Sequence, residues 1–457
     1  MEEQMSVKRN EVDMIHGPLA KKILMFALPL AASSMLQQLF NAADLAVVGR
    51  FTNAQAMAAV GSNSSVIGLL VSLFTGLSVG ANVAVANLLG SGKREKIPDA
   101  VHTVITVALV SGILLLTAGI LIARPILTLM GAPADVIGLA VIYLRIYFTG
   151  MPAVMMYNFG SAILRSRGDS RRPFVSLTLA GIVNVILNLF FVVVLHMHVI
   201  GVALATVLSN CLSGGLVLYY LMKEPDEFRV DLKKLRIRKE YLERIMKIGL
   251  PAGLQGMVFS LSNVVIQSAV NSFGANAIAG NTAAQNFDFV SYCLLNAFAQ
   301  TTVTFVSQNF GARQYERCHK VWKIAMGMGI GLDILLIGLI MMFKGTLIQI
   351  FTTDPEVISY AMVRMNYALS VHFLCGTYEI TAGALRGMNR SMVPAVISVL
   401  GTCAVRLLYV WFVFPQFGTI ESLILVYPVT WIITCILMNG AYFIARRNLE
   451  TLQFDTM

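Results

Sequence analysis

Four carboxylates sit inside long apolar stretches of this chain: Asp44, Asp288, Asp333 and Glu379. A charged group in hydrocarbon costs about 2.5–3.5 kcal/mol on insertion scales, so each is a candidate for chemistry. Asp44 has the most organised surroundings. Gln37 and Asn41 precede it by seven and three residues, a spacing that puts all three on one helical face. Asn188, Thr206 and Tyr143 belong to other apolar stretches, yet each lies six to eight residues from its outer end, as Asp44 does. At the rise of a helix, that is about 10 Å below the outer surface. Asn184 lies one turn deeper than Asn188. One carboxylate among amides, a hydroxyl and a phenol can load and release a proton, or hold a bare cation such as Na⁺ through its oxygens. A structural Asp satisfied inside a helix bundle is the competing reading.

The second half of the chain carries a similar stripe, Asn281, Gln285, Asp288 and Tyr292, and an uncharged one, Ser260, Asn263 and Gln267. With Gln37, Asn41 and Asn158, the residues Asn263, Gln267, Asn281, Gln285 and Asp288 are the expected contacts for a polar or cationic substrate. Hydrogen bonding between helices is the alternative. Glu379 lies near an inner end, seven residues from Arg386. Asp333 has no polar stripe, and pairing with an intramembrane arginine is expected for it; Arg145, Arg364 and Arg406 are available, or snorkel to the interface.

Enzymatic chemistry finds no support. Asn87 to Lys93 ends in Gly-Ser-Gly-Lys but lacks the first glycine of a phosphate-cradling loop. His196 and His198 flank one methionine in an outer turn, the pattern of solvated loop residues. No HExxH motif occurs. The six cysteines show no CxxC spacing and read as small apolar fillers, so no metal site and no cofactor is expected beyond H⁺ or Na⁺ as coupling ion.

The elements that position these groups follow from composition. Of 457 residues, 57% are hydrophobic and 13% charged, with a mean hydropathy of +0.73. A soluble protein cannot cover itself with so little polar surface, which leaves an all-α polytopic membrane protein. Twelve spans fit: 23–48, 55–88, 100–123, 136–162, 173–195, 199–222, 246–272, 277–307, 321–343, 357–384, 393–414 and 420–445. The N-terminus mixes Glu2, Glu3, Lys8, Arg9, Glu11 and Asp13, unlike a signal peptide.

The net charge of +10 has a topological explanation. Of the 34 lysines and arginines, 28 fall on the side of the two termini, with Lys247 and Lys323 just inside that end of their spans, three on the opposite side and three deeper within spans. The positive-inside rule then puts both termini in the cytoplasm, and nucleic-acid binding is not expected. An internal repeat runs at an offset of 221 to 222 residues: Leu28-Pro29 falls on Leu250-Pro251, Ala54, Ala56 and Ala58 on Ala275, Ala277 and Ala279, and Leu164-Arg165 on Leu385-Arg386. Six spans per repeat give two lobes of like orientation, related by a pseudo-two-fold axis along the membrane normal, as in secondary transporters. The expected division is an N-lobe over 1–222, a cytoplasmic linker over 223–244 and a C-lobe over 245–457.

Leu28-Pro29, Asn41-Ala-Ala-Asp44, Val47-Val-Gly-Arg50, Gln308-Asn-Phe-Gly-Ala312 and Leu385-Arg386-Gly387 together resemble the multidrug and toxic compound extrusion (MATE) transporters, most of all the DinF-like bacterial branch. The resemblance spans all twelve helices. It implies a V-shaped pair of six-helix lobes in the bacterial cytoplasmic membrane, a monomer in the lipid bilayer, exporting small cationic, amphipathic compounds in exchange for H⁺ or Na⁺. It further implies a cation-coupling site of Asp44, Asn184 and Thr206, with Tyr143 nearby. One departure is informative. The position one turn after Asn184, often a second aspartate, is Asn188, which favours a single proton over Na⁺. Phe259 occupies the place of the seventh-helix glutamate used by a Na⁺-coupled branch.

The expected function is therefore a secondary antiporter working by alternating access, driven by protonation of Asp44, with Pro29 as a bend point early in the first helix. Two alternatives stay open: a flippase or exporter of a lipid-linked or polysaccharide intermediate on the same fold, and a channel or membrane scaffold.

Overall fold

With no water in hydrocarbon to satisfy backbone N–H and C=O groups, a chain this apolar closes its hydrogen bonds within helices. The computed structural model describes residues 11–52, 54–129 and 136–454, and no strand occurs among them. The principal helices are α1 (Leu19–Phe51), α2 (Ala54–Gly90), α3 (Ile97–Leu129), α4 (Ile137–Thr149), α5 (Met151–Ser166), α6 (Arg171–Leu189) and α7 (His198–Met222). They continue with α8 (Lys239–Asn271), α9 (Ala275–Gly311), α10 (Tyr315–Met342), α11 (Pro355–Tyr367) and α12 (Phe373–Gly387). Two further apolar segments, α13 (Met392–Phe417) and α14 (Ile420–Asn448), close the order.

Among the described residues, ten helical segments are long and apolar enough to cross a membrane, and α4 with α5 makes an eleventh, bent by 47°. Gly150 followed by Pro152 explains that bend, because proline withholds a helical N–H. The expected tenth span, 357–384, is not continuous. It divides into α11 and α12 around a 3-10 turn, Leu369–Val371. Large side chains such as Leu121 and Ile436 are more than two-thirds exposed on the helix exteriors, the arrangement lipid requires.

The chain forms two compact units. Unit 1 comprises residues 1–14 and 28–253, and unit 2 comprises 15–27 and 254–457. The divisions fall inside helices, one residue before Pro29 in α1 and two residues after Pro251 in α8. In unit 1 the core is built by Val101 and Ile105 of α3, Phe148 of α4, and Met155 and Phe159 of α5. In unit 2, Ile337 and Ile340 of α10 pack with Met365 of α11 and Leu369. A polar cluster closes one end of unit 1. Arg167 pairs with Glu11, Glu224 and Asp226, while Arg172 pairs with Asp169 and Glu224. Gly168 makes this possible. Its φ of +106° is open only to glycine, and its carbonyl accepts from Val12 N–H at 3.1 Å.

Candidate functional site

Asp44 lies in the second half of α1 and is 7% exposed, in a helix whose neighbours at 37 and 41 are open to the surroundings. Its partners come from two other helices of unit 1. Asn188 of α6 donates through Nδ2 to Asp44 Oδ1 at 2.5 Å, and the same amide donates to Asn184 Oδ1 at 3.1 Å. Thr206 of α7 lies 3.3 Å from Asp44 Oδ2 and 2.9 Å from its own helix's Val202 carbonyl. Tyr143 of α4 is buried within electrostatic reach of the carboxylate but makes no direct bond to it, and the Tyr147 ring stacks on that of Tyr143 with centroids 6.0 Å apart. The five residues expected to form a cation-coupling site therefore gather in one place, four of them through a continuous hydrogen-bonded chain.

Local sequence explains how the helices come so close. Gly181 of α6 lies against the ring of Phe40 on α1; a Cβ there would meet ring carbons at 1.6 Å. That contact brings α6 to α1 one turn before Asn184. Directly after Asn188 the helix widens into a π turn, Phe190–Val194, a local irregularity often found where a side chain must be re-aimed. Val47, Val48, Val192, Val199, Val202 and Ala203 form an apolar collar with Tyr143. Low polarity around the carboxylate strengthens each hydrogen bond to it and makes its charge expensive.

The site can serve two protonation states. As a carboxylate, Asp44 accepts from Asn188 and Thr206. As an acid, its Oδ2–H can donate to Thr206 Oγ1, whose own hydrogen then goes to Val202 O. Among the described residues no cationic side chain pairs with Asp44. The groups against it are donors, and Asn188 Oδ1, buried, has no hydrogen-bond partner among the described residues.

The stripes expected in the second half are organised by arginines. Arg364 of α11 donates through Nε to Asp288 Oδ2 at 2.7 Å and through Nη1 to Asn281 Oδ1 at 2.8 Å. Asn281 also reaches Gln267 Oε1 at 3.4 Å, and Gln267 donates to Asn271. Arg406 of α13 donates to Asn263 at 2.8 Å, and its guanidinium lies over the rings of Phe259 and Tyr427. Gln285 is half-buried, and Asn158 donates to the Val154 carbonyl of its own helix. The expected pairing of Asp333 with an arginine does not form. Arg364 takes Asp288 instead, and Asp333 accepts from Ser291 at 2.6 Å. The reason is rotational: Asp288 and Asn281 lie on one face of α9, two helical turns apart, and together fit one guanidinium fork. Arg145 is exposed. Tyr147 is the residue of the Asp44 site that sequence reasoning missed; its signal was its place one turn after Tyr143.

Comparison with known proteins agrees with this architecture. The MatE family model matches residues 29–190 and again 251–412, and the two segments begin at Pro29 and Pro251, the prolines paired by the internal repeat. The chain is 27% identical over 434 residues to the probable multidrug resistance protein YoeA of Bacillus subtilis, covering 92% of this chain and 93% of that one. It is 24% identical to a FAD transporter of Shewanella oneidensis, over 97% of this chain and 98% of that one. Among solved structures, a crystal structure of a MATE mutant superposes with a TM-score of 0.90 at 20% identity, covering 96% of this chain and 99% of that chain. A MATE structure in the bent conformation gives 0.88 at 21% identity, with 97% and 98% covered. With both halves of the chain matched by the family model and the two-lobe fold shared, the protein belongs to the MATE family of multi-pass membrane transporters.

Proposed function

We propose that this chain is a proton-coupled antiporter that exports small cationic, amphipathic compounds from the bacterial cytoplasm across the inner membrane by alternating access, with Asp44 as the coupling group. The observation that carries the reading is the state of that carboxylate: buried, bonded only by neutral donors, and provided with an acceptor for its own proton at Thr206. Loading a proton removes a charge from the apolar collar and changes what the helix packing of unit 1 favours; releasing it restores the charge. Any such shift is limited to the difference in proton affinity between the two conformations. Na⁺ is less well served, because Asn188 turns a donor rather than an oxygen toward Asp44.

Gln37 and Asn41, exposed on the face that leads to Asp44, extend the site toward cargo. Both termini are assigned to the cytoplasm on the distribution of basic residues, with 223–244 as the linker between lobes. The name of the multidrug-resistance relative supports drugs as cargo. Efflux of a fluorescent organic cation from cells, with the pH and Na⁺ gradients collapsed separately, tests the reading: loss with the pH gradient alone supports it, and loss with the Na⁺ gradient alone refutes it.

A second reading has an anionic aromatic cargo. It is favoured by Arg406, a buried guanidinium whose bonded partner, Asn263, is neutral, and by the likeness to a FAD transporter. Saturable uptake of FAD but not of riboflavin by inverted membrane vesicles would select it.

A further inference from the structure

Unit 2 contains a second buried carboxylate that the Asp44 mechanism does not use. Asp333 of α10 is fully buried and has no basic partner among the described residues. Its Oδ1 accepts from Ser291 of α9 at 2.6 Å, and Ser291 Oγ lies 2.7 Å from Nδ1 of His372. Asp333 Oδ2 is buried without a hydrogen-bond partner among the described residues. Ser291 is also fully buried, and His372 is 5% exposed. His372 stands at the break between α11 and α12, directly after the 3-10 turn that interrupts this span, with the Trp431 ring nearly perpendicular to its own and the centroids 5.2 Å apart.

We propose that Asp333, Ser291 and His372 form a second proton-binding site, a relay in which a serine hydroxyl joins a carboxylate to an imidazole. The proposal extends the proton-coupled reading and gives each half of the molecule its own titrating carboxylate.

The proton balance is closed. In the unloaded state Ser291 donates to Asp333 Oδ1 and accepts from His372 Nδ1–H, which leaves Nε2 bare. A proton bound at Nε2 releases the one on Nδ1 to Ser291 Oγ, and the serine hydrogen passes to Asp333 Oδ1. The product has an Nε2–H, a bare Nδ1 accepting from Ser291, and a neutral carboxylic acid donating to Ser291. One N–H and one carboxyl O–H bond have formed, one N–H has broken, and the serine has exchanged its hydrogen. The charge of the triad goes from −1 to zero without a resting imidazolium, and both hydrogen bonds survive with their direction reversed.

Surrounding charges leave the relay free to titrate. Asp288 and Arg364, the charged groups that face His372, are paired with each other at 2.7 Å. Beside Asp333 lies Cys375 of α12, which is also within reach of Glu379 on the same helix, Arg406 of α13 and Tyr378. None of these bonds to Asp333, so the cost of its charge is not offset by a cation, and protonation is the available means of relieving it. Because the imidazole is attached where the span is broken, reversing the polarity of its bond acts on the joint between α11 and α12.

The test is infrared difference spectroscopy of the purified full-length protein in lipid, stepped from alkaline to acidic pH, with the proton as the only ligand. Protonated carboxyl groups absorb apart from the amide backbone. Wild type is expected to gain carboxyl absorption that Asp333→Asn loses in part and Asp44→Asn loses in a different part. Ser291→Ala and His372→Gln keep the carboxyl, and each is expected to move the midpoint of the Asp333 component by about one pH unit, a tenfold change in proton affinity. Should Asp333→Asn fail to accumulate as folded protein, these two variants carry the test. A spectrum unchanged by Asp333→Asn, or midpoints unmoved in both relay variants, overturns the proposal. A spectrum unchanged by Asp44→Asn, with the Asp333 and relay-variant effects intact, would overturn the coupling role of Asp44 and leave the relay standing.

Discussion

The side-chain amide of Asn188 bonds the carboxylate of Asp44 across 144 residues of sequence, at 2.5 Å, and both groups are buried. This contact joins α6 to α1 inside unit 1 and makes the protonation state of one residue a property of helix packing. Asn188 supplies both of its amide hydrogens to the site, one to Asp44 and one to Asn184, so it cannot be replaced by a group of similar size without changing the hydrogen-bond count.

Replacing Asn188 with aspartate adds a second carboxylate where a donor now stands. Two like charges in contact share a proton or recruit a cation. Asn188→Asp is therefore expected to make efflux respond to Na⁺, whereas Asn188→Ala removes a donor and weakens efflux without that response. Efflux assays with and without Na⁺ at fixed pH separate the two.

Gly181 tests the geometry without touching a polar group. A methyl there must displace Phe40, an overpacking that costs about 1–3 kcal/mol and moves α6 from α1. Gly181→Ala is expected to lower thermal stability and efflux together. Adding Phe40→Ala, which vacates the space, is expected to restore much of both.

The Arg364–Asp288 pair is buried, and breaking one side leaves an uncompensated charge. Arg364→Leu is expected to destabilise by about 3–5 kcal/mol, while the double variant Arg364→Leu with Asp288→Leu recovers most of the loss. Thermal unfolding in detergent of the two single variants and the double variant measures the coupling.

At the end of unit 1 outside the spans, burial pushes the Glu11 carboxyl above the usual glutamate value of 4.5, outweighing the attraction of Arg167. The folded state then holds the proton more tightly than the unfolded chain does. Its contribution to stability is present at low pH and is lost as pH rises through the raised value. Glu11→Gln, a mimic of the protonated form, is expected to hold residues 11–14 at least as firmly at neutral pH. Hydrogen exchange of the Val12 amide, which is bonded to Gly168 O, checks it.

The Asp44 cluster was legible in the sequence because polar residues stand out in apolar runs and helical rise converts residue number into depth. Asn188, Thr206 and Tyr143 could be levelled with Asp44 before any coordinates. The choice of partner by Arg364 was not legible, since it depends on how α9, α10 and α11 are rotated about their axes, which apolar runs without a clear polar face do not specify. The break at 368–372 was hidden for a related reason: His372 and Ser370 are the polar residues there, with no proline or glycine to mark the turn. Tyr147 escaped notice because an aromatic at helical spacing also reads as core.

The most direct measurement of the central claim is pH-gradient-driven efflux of a fluorescent cation by Asp44→Asn in reconstituted vesicles, at protein levels matched to wild type. Efflux is expected to fall to the protein-free background, with the folded protein otherwise normal. Efflux equal to wild type would contradict the account.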